Sequence, residues 1–357
     1  MMRQAVNDGV FPGGVLLVSA ADAVVFFEAY GYADTFARRK MKRDTVFDLA
    51  SLTKPLATTL AVMQLISQGK LELDNDLESI LPAFKNTDKS RITVRHLLRH
   101  DSGLPDYRPY YETLRELPPT RRKVALRDLL LKEPLINPFG KQTLYSDLGY
   151  MILRWVVEQI SGKRLDYFVA EEIYGPLGLE NLFFVDSDAA PREAEFAATE
   201  KCPWRRILLD GNVHDDNAYV VGGVEGHAGL FGTADAIYRL LMVLLSDFQD
   251  RDKPRIFKKE LLKEFMQQQE GKERALGFDT PALTDSSCGR YFSRHTIGHL
   301  GFTGTSFWMD LERSVLVILL TNRVHPSREN NLIKEFRPKL HDAIMSGLKI
   351  RPQQNIL

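Results

Sequence analysis

Ser51, Leu52, Thr53 and Lys54 form a Ser-x-x-Lys group early in the chain. A serine hydroxyl attacks a carbonyl only once something takes its proton. A lysine three residues further along a helix lies on the same face, within reach of Oγ. Burial or a neighbouring cation would push that amine's pKa down far enough for it to act as a base. The plainer reading is a capping serine and a surface lysine. Pro55 lacks an N–H and crowds the carbonyl of Ser51, so the first turn is expected to be tight or distorted.

Two other groups offer chemistry. Tyr145-Ser146-Asp147 precedes an apolar helical pattern, where Ser146 or Asp147 makes a good N-cap and Tyr145 could simply pack. The functional alternative makes Tyr145 a proton shuttle, because a phenol beside an ammonium ionises more easily. Gly298 to Thr305 has strand character but carries three glycines, which implies close approach of another backbone or a ligand, or a soft bend with a structural histidine. Strand alternation would put His299, Gly301, Thr303 and Thr305 on one face.

In this order and separation, the three groups resemble the active-site motifs of the serine β-lactamase and penicillin-recognising superfamily. The nearest branch is the class C β-lactamases with their related esterases and D-amino peptidases. Phe11-Pro12-Gly13-Gly14, Gly69 to Asp74, Leu97 to Pro105, Pro176 to Leu179 and Gly226 to Leu230 extend the likeness. The resemblance implies an α/β fold, an antiparallel sheet flanked by helices with a mostly helical insertion. It implies that Ser51 forms an acyl-enzyme, that Lys54 and Tyr145 share the proton work, and that the Ser51 and Phe302 N–H groups make the oxyanion hole. Gly301 would leave space for the substrate carbonyl, and Asp147 and His299 would contact the substrate. No cofactor is implied.

The chain departs from the pattern twice. Where class C enzymes have Tyr-x-Asn it has Asp147, which could pair with Lys54, hold it protonated and leave Tyr145 as the base. Another alignment starts a class A Ser-Asp-Asn motif at Ser146 and makes Ser146 the shuttle. The surrounding class C likeness, and Leu148 in place of the class A Asn, favour Tyr145. Where true β-lactamases have a carboxylate-binding lysine stands His299, expected to be cationic only part of the time near neutral pH. Together with an N-terminus that shows no secretory signal, this favours small carboxylic esters or amides over cell-wall peptides and antibiotics. True β-lactamase or D-amino peptidase activity, and a degenerate non-catalytic binding or scaffold protein, are the alternatives.

The elements that must position these groups are readable in outline. With 44% hydrophobic residues in 357, the chain can bury a large core. Its 47 basic and 47 acidic residues leave no surplus charge for nucleic acid or an anionic membrane, and the resemblance implies a small-molecule partner. Val315 to Leu320 is far shorter than the roughly 20 residues that span a bilayer. Strand-like sequence by Val15 leaves no room for a secretory signal, which gives a cytoplasmic expectation, and Cys202 and Cys288 read as unpaired surface thiols.

Val15 to Ser19 and Val24 to Ala29 suit a hairpin, and Leu56 to Ile66, apolar on nearly every face, suits a buried helix. Helices are expected over Val94 to His100, Arg121 to Leu131, Leu148 to Ile160, Leu165 to Ile173 and Ala234 to Leu245. Strands are expected over Tyr291 to His295, Gly298 to Trp308 and Ser314 to Thr321, before a helix from Arg328 to Met345. The implied organisation is a discontinuous sheet domain, 1–70 with 275–357, around a helical insertion, 71–274, with the site at their junction. His214, Asp215, Asp216 and His227 match no familiar zinc spacing, so no metal is expected. The run from Glu270 to Arg274 reads as a solvated loop, and Trp204 and Trp308 as core or cleft wall.

Overall fold

A computed structural model describes residues 1–187, 189, 192–251, 255–269 and 271–350. Strands Gly13–Ala20 (β1) and Ala23–Asp34 (β2) form the expected hairpin, turning at Ala21 and Asp22. The short strand Arg39–Lys40 (β3) extends it. Three late strands, Thr296–Leu300 (β4), Ser306–Asp310 (β5) and Val315–Thr321 (β6), complete a six-stranded antiparallel sheet in the order β3-β2-β1-β6-β5-β4. β6 pairs with β1 from Gly14↔Thr321 to Ala20↔Val315, so early and late chain meet mid-sheet.

The helices that frame the site and the cores on the two sheet faces include α1 (Met2–Asn7), α2 (Leu60–Ser67), α3 (Val94–Leu98), α4 (Asp147–Ser161), α5 (Ala234–Phe248) and α6 (Ile333–Gly347). Val15, Leu17, Leu316, Ile318 and Leu320 enter a large core shared with α2 to α5. The alternate residues Leu16, Val18, Val315, Val317 and Leu319 enter a smaller core with α1 and α6. Burial on both faces is why β6 reads as an unbroken apolar run.

Local sequence explains several boundaries. Lys54–Thr59 winds as a π-helix before α2, a wider turn that accommodates the missing N–H and the bulk of Pro55. Ser146 caps α4 by accepting the Gly149 N–H, and Gly162, with φ of 70°, ends it. Thr233 caps α5 in the same way.

Other expectations are corrected. Tyr291 to His295 is irregular, and the strand starts at Thr296. The single strand expected from Gly298 to Trp308 is two, because a turn intervenes in which the Gly301 N–H donates to Thr305 O at 2.7 Å and Gly304 has φ of 107°. His299, Gly301, Thr303 and Thr305 therefore share no strand face. Leu165 to Ile173 divides into an α-helix, Leu165–Val169, and a π-helix, Ala170–Tyr174. The closing helix begins at Ile333, since Arg328 is drawn into ion pairs with Glu200 and Asp216. α1 was not anticipated. Cys202 and Cys288 are free but buried, each 1% exposed, because both pack into the interior. Among the described residues no helix is long and apolar enough to cross a membrane.

Candidate active site

Ser51 lies in a 3-10 turn, Ala50–Leu52, between the short strand Phe47–Asp48 and the π-helix. Ala50, just before it, has φ of 47°, a left-handed conformation that alanine adopts only under constraint. The buried Asp48 supplies that constraint. Its Oδ1 accepts the Ala50 N–H at 2.8 Å and its Oδ2 the His214 N–H at 2.7 Å.

Lys54 is fully buried, and its Nζ meets Ser51 Oγ at 3.1 Å, Asp147 Oδ1 at 2.7 Å and His227 O at 3.4 Å. Burial alone would lower the amine's pKa, as the sequence reading supposes. The charges of Asp147 and Tyr145, and hydrogen bonds to both, outweigh it and hold Lys54 above its ordinary 10.5. Of the two readings of Lys54, free base or ammonium paired with Asp147, this environment favours the ammonium. Asp147 opens α4, where the helix dipole also favours a carboxylate.

Tyr145 stands between cations and rings. Lys54 Nζ is 4.7 Å and the Arg274 guanidinium 5.2 Å from its ring centroid, with the His100 and His299 rings at 4.6 Å and 5.9 Å. Ser146 is already committed: its hydroxyl donates to Pro105 O at 2.6 Å and accepts the Gly149 N–H at 3.3 Å. That leaves it badly placed to shuttle a proton.

His299 Nδ1 donates to Leu300 O at 2.9 Å, which leaves the Nε2 lone pair free. Burial, then the charges of Lys54 and Arg274, push its pKa well below the ordinary histidine value. The partial cation expected here is corrected to a neutral ring. Thr303 and Thr305 donate to the carbonyls of Asp48 and Leu49 at 2.7 Å and 3.1 Å, tying the 301–305 turn to the segment before Ser51. A Cβ on Gly301 would overlap Thr305 Oγ1 and lie 2.6 Å from Leu49 O. Glycine is needed there for that approach. Neither the Ser51 nor the Phe302 N–H has an acceptor among the described residues.

Ser51, Tyr145, His299, Gly301 and Phe302 line one cavity of about 380 Å³. Lys54 and Asp147 lie outside its lining and reach it through Ser51. The cavity also has a wall that sequence reasoning missed: Arg274, Arg323, Lys334 and Arg337. Arg274 turns inward from the supposed solvated loop, 21% exposed and paired with Asp279; Glu270 lies outside the described residues. Arg323 holds the turn, donating from Nε to Phe302 O at 2.8 Å. Burial, then the charge of Arg323, lowers Arg337 to about 10. Among the described residues, Arg323, Lys334 and Arg337 have no carboxylate within ion-pair reach. The three-residue spacing of Lys334 and Arg337 was visible in sequence, but not that this face of α6 meets Ser51.

His214 and His227 are engaged in pairs, His214 with Glu200 at 3.2 Å and His227 with Asp215 at 3.0 Å. The His214 ring also stacks on Phe302 at 5.6 Å. Among the described residues no group of three or more His, Cys, Asp or Glu could hold a metal ion.

Residues 1–338 match the family model described as Beta-lactamase. The chain is 34% identical to an N-acetylmuramyl-L-alanine amidase of Bacillus subtilis (strain 168), over 88% of this chain and 78% of the relative. It is 30% identical to an Escherichia coli (strain K12) protein provisionally named D-alanyl-D-alanine carboxypeptidase, over 91% and 81%. The structure of EstCE1, a hydrolase with promiscuous acyltransferase activity, superposes with a TM-score of 0.72 at 24% identity, covering 94% and 96% of the two chains. That last likeness is one of fold.

Proposed function

The chain belongs to the beta-lactamase family, and from that premise we propose that it is a serine hydrolase which cleaves small amides or esters through an acyl-enzyme on Ser51. One observation carries the reading: Ser51 Oγ, on the wall of the cavity, lies 3.1 Å from a lysine that Asp147 holds at 2.7 Å. A lysine held as an ammonium has no lone pair to offer. The proton of Ser51 therefore passes to Tyr145 in its phenolate form, which the Lys54 ammonium stabilises until the negative charge moves to Oγ and on to the carbonyl oxygen.

Attack by Oγ on the substrate carbonyl forms a tetrahedral adduct whose oxyanion rests between the Ser51 and Phe302 N–H groups. Collapse breaks the bond to the leaving amine or alcohol oxygen, which takes the proton from Tyr145. Water, losing its proton to Tyr145, then attacks the acyl-enzyme; the Oγ–acyl bond breaks, Oγ takes that proton back from Tyr145, and release of the acid restores both residues.

The cavity wall refines the substrate class. With His299 neutral, Arg323, Lys334 and Arg337 carry the uncompensated positive charge, which suits a substrate bearing a carboxylate. The amidase and carboxypeptidase names of the two relatives support amide substrates.

Chromogenic esters and anilides of one acid, with and without a free carboxylate, test both parts against wild type and Ser51→Ala. The reading expects turnover to vanish in Ser51→Ala. It also expects kcat/KM about tenfold higher for the carboxylate partner at low salt, with the advantage shrinking as salt rises. Equal, salt-insensitive turnover of the pair removes the anionic-substrate part; turnover surviving in Ser51→Ala removes the whole.

A further inference from the structure

His100 grips Tyr145 from three sides. Its carbonyl accepts the Leu144 N–H at 2.8 Å and its Nδ1 accepts the Ser146 N–H at 3.0 Å, so both chain neighbours of Tyr145 are bound to one residue. Its ring lies 4.6 Å from that of Tyr145 at an interplanar angle of 31°. Tyr150, one turn into α4, supports the ring from 5.1 Å at 31°. His100 is 3% exposed and has φ of 61°, a left-handed backbone rarely adopted by a residue with a side chain. The left-handed turn is what lets carbonyl and imidazole reach N–H groups on either side of Tyr145.

The acceptor is permanent. Burial, then the nearby charges of Arg274 and Lys54, keep the ring's pKa well below the ordinary histidine value. Nδ1 thus presents a lone pair throughout the working range.

We propose that His100 is a positioning residue for Tyr145, fixing the phenol against Ser51 and Lys54 by binding the N–H groups of both its chain neighbours and stacking on its ring. The proposal rests on the reading of Tyr145 as proton carrier. A displacement of about 1 Å in such a group can cost on the order of 10² in rate.

The test compares His100→Phe, which keeps a ring but loses the acceptor, with His100→Asn. Asparagine tolerates the left-handed backbone and returns an acceptor oxygen near the place of Nδ1. Acylation is measured per active site by burst titration, so misfolded protein does not count. In His100→Phe the acylation rate should fall about 30- to 100-fold with KM within about threefold, and His100→Asn should recover roughly a tenfold share. In a Tyr145→Phe background, His100→Phe should cost less than about twofold more, because what it positions is gone. If His100→Phe does not fold, His100→Asn alone and with Tyr145→Phe completes the same cycle. An equal loss in both backgrounds, or none in the wild-type background, overturns the proposal. Wild-type acylation by Tyr145→Phe alone would sink the proton-carrier reading and His100 with it.

Discussion

Lys54 Nζ and Asp147 Oδ1 stand 2.7 Å apart beneath the nucleophile, the lysine side chain fully buried and the aspartate 19% exposed. Losing one partner of a buried pair costs about 3–5 kcal/mol, because the remaining charge stays desolvated. Asp147→Ala should therefore lower the thermal midpoint clearly, and Asp147→Asn, which keeps an acceptor, less. The folded-state pKa of Lys54 lies above its ordinary 10.5, so its contribution is complete below that value and is lost only as pH rises through the folded one. Wild-type stability should thus lose nothing through Lys54 between pH 7 and 9. Equal midpoints for the two variants would contradict the pairing.

Tyr145→Phe removes the hydroxyl assigned the proton, and acylation should fall by about 10²–10⁴. Ser146→Ala removes a helix cap and the hydrogen bond to Pro105 O, costing about 1–3 kcal/mol of stability while kcat stays within about threefold. Burst kinetics and thermal unfolding of both variants check this. The reverse ranking would return the shuttle to Ser146.

Phe302→Pro deletes the N–H placed at the oxyanion, whereas Phe302→Ala keeps it. The proline variant should lose about 10²–10³ in kcat, and the alanine variant far less. Comparable losses in the two would assign the effect to the exposed ring instead.

The three motifs were legible because each is local: a nucleophile and lysine on one turn, a capped helix start, a glycine-rich turn. The distortion at Pro55 was also legible, since the missing N–H is a property of the residue itself. The charge of Lys54 was legible only as one of two alternatives, a free base or an ammonium paired with Asp147. Sequence suggests burial, but the sign of the shift depends on Asp147, 93 residues away. The same holds for the cationic wall, where Arg274, Arg323 and α6 converge only in the fold, and for His100, since nothing in the stretch from Leu97 to Pro105 points to Tyr145. The break between β4 and β5 followed from the left-handed Gly304, which strand-like composition on either side concealed.

Acid stability depends on buried neutral histidines. His341 donates from Nδ1 to Ser287 O at 2.9 Å, and burial, the largest influence, lowers its pKa from 6.5 to about 4. The unfolded chain takes up a proton first, so stability is complete above 6.5 and lost as pH falls towards 4. Between pH 7 and 4.5 this one residue should remove about 2–3 kcal/mol, and His341→Gln should flatten that part of the curve in urea titrations. An unchanged pH slope in the variant would exclude His341 as a source.

The central claim is the covalent one, and intact-mass analysis after a brief exposure to an activated ester or fluorophosphonate tests it most directly. The account expects a single adduct that maps to Ser51, is absent from Ser51→Ala and forms far more slowly in Tyr145→Phe. A folded wild-type protein that gains no adduct, or an adduct that persists in Ser51→Ala, would contradict it.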